Sequence, residues 1–300
     1  RGQTATVDSD LAPLLNSVSS SRMLADVRQL SGPEFSGRQT GTVDDLRSAL
    51  VIATHFHALG LLPAGDRPLG PGNELWAMAE SVHTTVIGRD AALSVSSHTT
   101  THPAQVGSDF LPVLDSPAVR VSALVVFVGY GISDPARGFD DYAGADVQNR
   151  IVLFLRGKPA SYPVSISHAD KERTAREQGA LAFLTVTGPV VSSYEAKRGI
   201  RGNPSAFYTL PDGDRPLPGA WISTAYADRL ITAAGESLST LQGSLGTPRQ
   251  PHSFDTHMLA SLSWSSTQAP GTLLNVLGLL PGVGPLADEV IILGAHRDHF

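Results

Sequence analysis

Near the start of the chain, apolar residues recur at three- and four-residue spacing. Leu11, Leu14, Leu15 and Val18, then Met23, Leu24, Val27 and Leu30, predict a helix or a pair of short helices. Ser31 to Gly41 reads as a loop by its glycines and Pro33. A second helix follows. Thr42 can cap it, Asp44 and Asp45 sit in its first turn, and Leu46, Leu50, Ile52, Ala53, Phe56 and Leu59 supply an apolar face. Gly60 stops it, with Pro63 close behind. The acids near its start suit the positive end of the helix dipole.

From residue 89 the pattern changes to short β-like runs separated by turn residues. Val121 to Tyr130, Ile151 to Arg156, Leu181 to Val186 and Ala220 to Ser223 read as strands, with helical segments at His168 to Gln178 and Thr224 to Ala234. Thr187 to Gly219 is rich in Gly and Pro and too long for a simple connection. Residues 89–256 therefore read as an α+β module. Beyond it, Met258 to Trp264 alternates as a strand, Leu273 to Leu280 is another, and Pro281 to Pro285 is a turn. Glu289 to Ala295 is almost wholly apolar, as in a strand covered on both faces in the middle of an α/β sheet. Such a strand needs neighbouring strands and covering helices, and residues 1–88 offer only two or three helices. The expectation is exposed apolar surface around Ile291 and Leu293, or a second chain or segment covering it.

Composition narrows the function classes. A chain of 300 residues suffices for one large domain or two ordinary ones. Its net charge of -6, from 22 basic and 28 acidic residues, argues against general affinity for nucleic acid or an anionic membrane, which need a positive field. No apolar run approaches the roughly 18 residues of a membrane span. With no cysteine, a disulfide scaffold, a thiolate zinc site and a thiol nucleophile are all excluded.

The run 289–295 ends in His296-Arg297-Asp298-His299-Phe300. Ligand sites in open α/β sheets lie just beyond the carboxyl ends of the strands. A His there can present a neutral imidazole to a metal, and an Asp two residues on can accept the other ring N–H, which fixes the tautomer. Taken alone, the same three residues also read as a polar strand end. They spell the catalytic-loop triplet of protein kinases too, but no Gly-x-Gly-x-x-Gly loop and no Val-Ala-x-Lys strand accompanies them. The ten histidines otherwise scatter without ligand spacing. His299 reads as a surface residue or a support behind a ligand, and His55 and His57 as residues of the helix surface or of its packing. Glu34 and Arg38 fit loop capping or a salt bridge as well as a substrate pocket. Asp140, Asp141 and Asp146 lack the regular EF-hand spacing and suit turn chemistry.

Four segments, in order along nearly the whole chain, resemble the M28 family of zinc aminopeptidases, in the subset carrying an inserted protease-associated (PA) domain. The first is Leu30-Ser31-x-x-Glu34-Phe35-Ser36-Gly37-Arg38-x-Thr40-Gly41-Thr42, with the helix ending Phe56-His57-Ala58-Leu59-Gly60-Leu61-Leu62-Pro63-Ala64-Gly65. The second, Val128-Gly129-Tyr130-Gly131-Ile132 with Asp140-Asp141-Tyr142-Ala143-Gly144-x-Asp146-Val147 and Ile151-Val152-Leu153, is similar to the core of a PA domain. The third, Ala175-x-x-x-Gly179-Ala180-Leu181-Ala182, resembles that domain's helix-to-strand step. The fourth runs Asn275-Val276-Leu277-Gly278-Leu279-Leu280-Pro281-Gly282, then Val290-Ile291-Ile292-Leu293-Gly294-Ala295-His296-Arg297-Asp298.

The resemblance implies an α/β fold: part of a three-layer α/β/α zinc-peptidase domain (residues 1–88 and 257–300) interrupted by an α+β PA domain (89–256). It implies His296 as a metal ligand and Asp298 as the catalytic-site residue that orients it. The family's remaining ligands, for two zinc ions, and its general-base Glu lie downstream of that strand, so at most one partial site is expected here. The expectation is thus the N-terminal portion of a zinc-dependent exopeptidase that hydrolyses N-terminal peptide bonds with a metal-activated water, inactive by itself. Its expected partners are a peptide substrate and a C-terminal segment or second chain completing the peptidase domain. A secreted or periplasmic location is expected from the resemblance, the lack of cysteine and a first residue other than Met. The alternative is a non-catalytic, receptor-like PA-domain protein that binds or interacts.

Overall fold

Largely apolar runs become the middle strands of a mixed eight-stranded sheet. The computed structural model describes residue 13 and residues 17–188, 199–208, 216–244 and 252–299. Two compact units divide the chain, residues 81–271 and residues 1–80 with 272–300. Strands and α-helices are numbered separately in chain order.

In the unit 81–271 the sheet order is β4-β3-β13-β6-β9-β10-β12-β5. These are β3 Ala92–Ser96, β4 Thr101–Pro103, β5 Phe110–Pro112, β6 Val119–Val128, β9 Ile151–Leu155, β10 Ala182–Val186, β12 Gly219–Ile222 and β13 Ser253–Trp264. The four strands β6, β9, β10 and β12 pair in parallel, while both flanks are antiparallel. Every residue of β9 and β10 is buried, because both faces of the sheet are covered there. Ile151, Leu153 and Leu155 pack with Tyr226, Leu230 and Ile231 of helix α4 (Thr224–Thr232) and with Leu238 and Leu241 of α5 (Leu238–Ser244). Val152 and Phe154 point the other way, to Ala175 of α3 (His168–Glu177) and to Tyr142 and Val147. Each such side chain contributes about 1.5–3 kcal/mol by leaving water.

Local chemistry sets the helix starts. Ser167 and Asp170 form a capping box on α3, and the Ser223 hydroxyl accepts from the Tyr226 amide at the start of α4. Two of the three acids read as turn residues, Asp140 and Asp141, behave so. Asp141 accepts from the amides of Tyr130 (3.0 Å) and Ile132 (2.9 Å), where Gly129 and Gly131 take positive φ. Asp140 accepts from the Ser133 hydroxyl and the Tyr142 amide.

Less of the sheet's periphery was foreseen. β2 (Ala77–Ile87) is flanked by β11 (Ser205–Tyr208) and β14 (Ser266–Val276) in a three-stranded sheet, and β7 (Ser133–Asp134) pairs with β8 (Phe139–Asp140). β11 lies inside the tract read as one long loop; residues 189–198 and 209–215 of that tract lie outside the described residues. The expected strand Met258 to Trp264 extends back to Ser253 through a bulge between Asp255 and Leu259, with His257 at φ 57°. There the Thr256 hydroxyl donates to the Val125 carbonyl at 2.8 Å.

In the unit 1–80 with 272–300, helix α1 (Ser20–Leu30) is capped by Ser19 and buries none of its residues. The expected apolar positions Leu11, Leu14 and Leu15 lie outside the described residues. Helix α2 (Val43–Ala58) is capped by Thr42 as the sequence predicts, and Gly60, at φ 75°, ends it. Its buried side differs from the expected one. Leu46 and Leu50 are exposed, and Asp45, Ser48, Ala49 and Ala53 face inward. Ala49 and Ala53 pack with the fully buried Trp76 and with Leu69, beside Phe56, Leu61, Leu274 and Val276. Small residues win that face because a large indole already fills the space. β1 (Leu62–Pro63) pairs with β15 (Gly278–Leu279), where a Cβ on Gly278 would meet the Phe56 ring at 2.7 Å.

The strand expected at 289–295 is absent from the described ladders. Its side chains are open to solvent, with Ile291 87% and Leu293 94% exposed, as the shortage of covering elements suggested. A β-prone run becomes a strand only where another strand supplies its hydrogen-bond partners. Among the described residues, no helix is long and apolar enough to cross a membrane.

Candidate functional site

The loop after α1 is built to turn sharply and receive another segment. Pro33–Phe35 forms a 3-10 turn with Phe35 buried. Ser36 (φ 41°), Gly37 (φ 90°), Arg38 (φ 57°) and Gly41 (φ 79°) then take left-handed conformations. For Ser36 and Arg38 this is an uncommon backbone state, held by its surroundings. At the loop's end the Thr42 hydroxyl donates to the Gln39 carbonyl at 2.6 Å and accepts from the Asp45 amide.

Segment 296–299 lies against this loop. The Arg38 side chain donates through Nε to the Arg297 carbonyl at 3.0 Å, and the Arg38 carbonyl accepts from the His299 amide at 3.2 Å. Between these two bonds, successive side chains turn to opposite sides, as in any extended chain. Arg297 goes inward. Its Nη1 meets the Asp45 carboxylate at 2.7 Å and the Asp45 carbonyl at 2.6 Å, and also bonds the Ser48 hydroxyl; Nη2 reaches the Leu274 carbonyl at 2.9 Å. Burial pushes the Asp45 carboxyl above its ordinary value, and the charge and hydrogen bond of Arg297 pull it back.

His296 and Asp298 go outward together. The Asp298 Oδ1 lies 2.7 Å from the His296 Nδ1, and its Oδ2 accepts from the Thr40 hydroxyl. An ionised carboxylate only accepts, so Nδ1 carries a proton, and in the neutral ring Nε2 then keeps its lone pair. The imidazole is 76% exposed. A hydrogen-bonded carboxylate behind one ring nitrogen and an open lone pair on the other is the usual state of a metal-ligating His.

The other candidates stand apart from this pair. His57, in the last turn of α2, bonds Glu74 through Nδ1 at 3.0 Å and meets the Trp76 ring edge-on. The Trp76 indole N–H and then His57 hold the Glu74 carboxyl below its ordinary range. His55 is exposed on the same turn, and His299 joins the site through its backbone amide. Glu34 lies on the open surface beside the buried Phe35. Sequence reasoning missed Asp45, Ser48 and Arg297 as a group. The one signal for it was a second acid in the first turn of α2, which its helix alone does not need.

Four-coordinate zinc takes three or four His, Asp, Glu or Cys donors. The described residues contain no group of three or more such side chains able to hold a metal ion. They therefore fit one corner of a zinc site, His296 with its supporting carboxylate, and do not hold a zinc ion tightly by themselves.

No protein-family model matches the chain, and no curated protein matches it in sequence. Among solved structures, it is similar to an aminopeptidase from Aneurinibacillus sp. strain AM-1, with 19% identity and a TM-score of 0.48, over 87% of this chain and 47% of that one. It is also similar to a zinc aminopeptidase from Bacillus subtilis, in two structures at 16% and 18% identity and TM-scores of 0.35 and 0.36, over 85% of this chain and 45% of that one. The chain spans less than half the length of these proteins. What bears on function is the geometry around His296 rather than this likeness.

Proposed function

We propose that the chain is the N-terminal portion of a zinc-dependent exopeptidase of the M28 type. In this reading, residues 1–88 and 257–300 belong to the peptidase domain and residues 89–256 form an inserted PA domain. His296 presents Nε2 to a metal, and Asp298 holds its ring. The observation that carries the reading is the 2.7 Å contact from Asp298 to Nδ1 of an otherwise open imidazole. The remaining ligands for two zinc ions and the general base come from a C-terminal segment or a second chain. That same element supplies the strands and helices that cover Ile291 and Leu293. In the completed site, a metal-activated water would hydrolyse the N-terminal peptide bond of a peptide substrate; the residues described here supply one ligand and its orientation. A secreted or periplasmic location goes with this reading.

The test is zinc titration of the 15N-labelled chain, read at the His296 ring nitrogens, together with hydrolysis of aminoacyl anilides. Weak zinc binding through Nε2, lost in His296→Ala, and no hydrolysis by residues 1–300 are expected. Hydrolysis by these residues alone would show that the catalytic groups lie within them, against this division. Zinc that leaves the His296 resonances unmoved would instead favour the non-catalytic, receptor-like reading.

A further inference from the structure

We infer that Thr40 is a positioning residue for His296, acting through Asp298. Thr40 touches neither the imidazole nor the place beyond its Nε2. Its hydroxyl donates to Oδ2 of Asp298, the oxygen that the His296 ring leaves unused. One carboxylate thus links a loop hydroxyl on one side to an imidazole on the other. This matters because segment 296–299 has no strand partner to hold it among the described residues. Arg297 anchors the segment's inner side on Asp45, Ser48 and Leu274, and Arg38 fixes its backbone from the loop. Those bonds place the backbone, but they leave the Asp298 side chain free to rotate about its own bonds. The Thr40 bond is what selects the carboxylate rotamer that faces Nδ1. The left-handed Arg38 and Gly41 on either side of Thr40 turn the loop so that its hydroxyl meets that carboxylate.

The consequence is a tautomer. A neutral imidazole free in water favours the proton on Nε2, which blocks the nitrogen exposed here. A fixed carboxylate at Nδ1 moves the proton to Nδ1 and opens Nε2 to a cation. Thr40 therefore sets the fraction of His296 ready to bind, although it is one residue removed from the ring. The inference rests on His296 as a ligand only for its importance to metal binding; the tautomer itself is independent of that reading.

The experiment measures imidazole 15N shifts of His296 in the 300-residue chain at a pH where the ring is neutral, without metal, and then with zinc alone. The wild type and Thr40→Ser are expected to hold the proton on Nδ1. Thr40→Val, nearly equal in shape, is expected to return the ring to the Nε2–H form and to weaken zinc binding a few-fold, because the tautomer with Nε2 open then becomes the minor share of the neutral ring. Thr40→Ala serves as a second test should the Val methyl disturb the loop. An unchanged tautomer in both Val and Ala variants would overturn the inference, as would equal loss in Thr40→Ser, which would assign the effect to the methyl group. Absence of zinc binding in the wild type would count against the proposed function and leave the tautomer result standing.

Discussion

Ile151–Leu155 and Val290–Leu293 look alike as sequence, short apolar runs rich in β-branched residues and followed closely by an Arg. In the first run every side chain is buried, and its backbone pairs in parallel with β6 on one side and β10 on the other. In the second, exposures run from 81% to 94%, and the described residues provide no ladder. The arginines differ in the opposite sense. Arg156 follows the buried run and is exposed, whereas Arg297 follows the exposed run and is anchored inward on Asp45. Hydrophobic pattern states what a segment can do with neighbours; it does not supply the neighbours. Where none are present, a few polar bonds to a loop and a helix hold the chain in place.

The contrast breaks most visibly in stability. Leu153→Ala is expected to cost about 3–5 kcal/mol in urea denaturation, because a fully buried side chain leaves a cavity. Leu293→Ala should stay within about 0.5 kcal/mol of the wild type. Equal losses at the two sites would mean that the second run is covered in solution. Arg297→Ala comes next. It leaves the buried Asp45 carboxylate without its cation, for a cost of roughly 3 kcal/mol. The loss should be confined to the unit that holds α2, with faster amide exchange at 296–299 and unchanged exchange at 151–155.

Acid–base behaviour sharpens the same comparison with a smaller effect. On α3, packed beside the buried run, burial pushes the Glu172 carboxyl up to about 7 against an ordinary 4.5, although it accepts the Leu217 amide at 2.6 Å. Asp115 adds to the rise and Arg176 opposes it. The folded state thus holds this proton over a pH range where the unfolded chain has released it. The contribution to stability is complete below pH 4.5 and is lost as the pH rises through about 7. Nearby His168 has the opposite sign. Burial, then the charges of Lys171 and Arg156, lower it to about 4, so its contribution is present above 6.5 and lost as the pH falls through about 4. Glu172→Gln keeps an acceptor for Leu217 and should remove on the order of 2 kcal/mol of the stability loss between pH 5 and pH 8. Thermal melts of the two proteins at those pH values check it, and an identical pH slope would show that Glu172 is ionised when folded. The smallest expected effect is at the open run. Ile291→Lys should change stability by less than about 0.5 kcal/mol and reduce self-association in light scattering.

What could be read without coordinates was local. Thr42 as a cap, the acids behind it and Gly60 as a stop all act within one turn of α2. The parallel strands β9 and β10 were legible because both faces are covered, so their runs are apolar except for the buried Thr185. His296 and Asp298 were legible as a pair because residues two apart share one side of an extended chain. The inward face of α2 was not. Leu46 and Leu50 satisfy helical periodicity, yet the indole of Trp76 takes the space and leaves room only for Ala49 and Ala53. β11 was hidden for a similar reason, since only its pairing with the distant β2 makes it a strand.

Distance along the chain separates the two kinds of information. Caps, turns and the His-Asp spacing depend on bonds between near neighbours, so residue identity settles them. The Arg297 anchor spans 252 positions to Asp45, and the Thr40 bond spans 258 positions to Asp298. Contacts of that range follow from how the rest of the chain closes up. They decide which of two similar apolar runs is core, which face of α2 turns inward, and which nitrogen of His296 is left open.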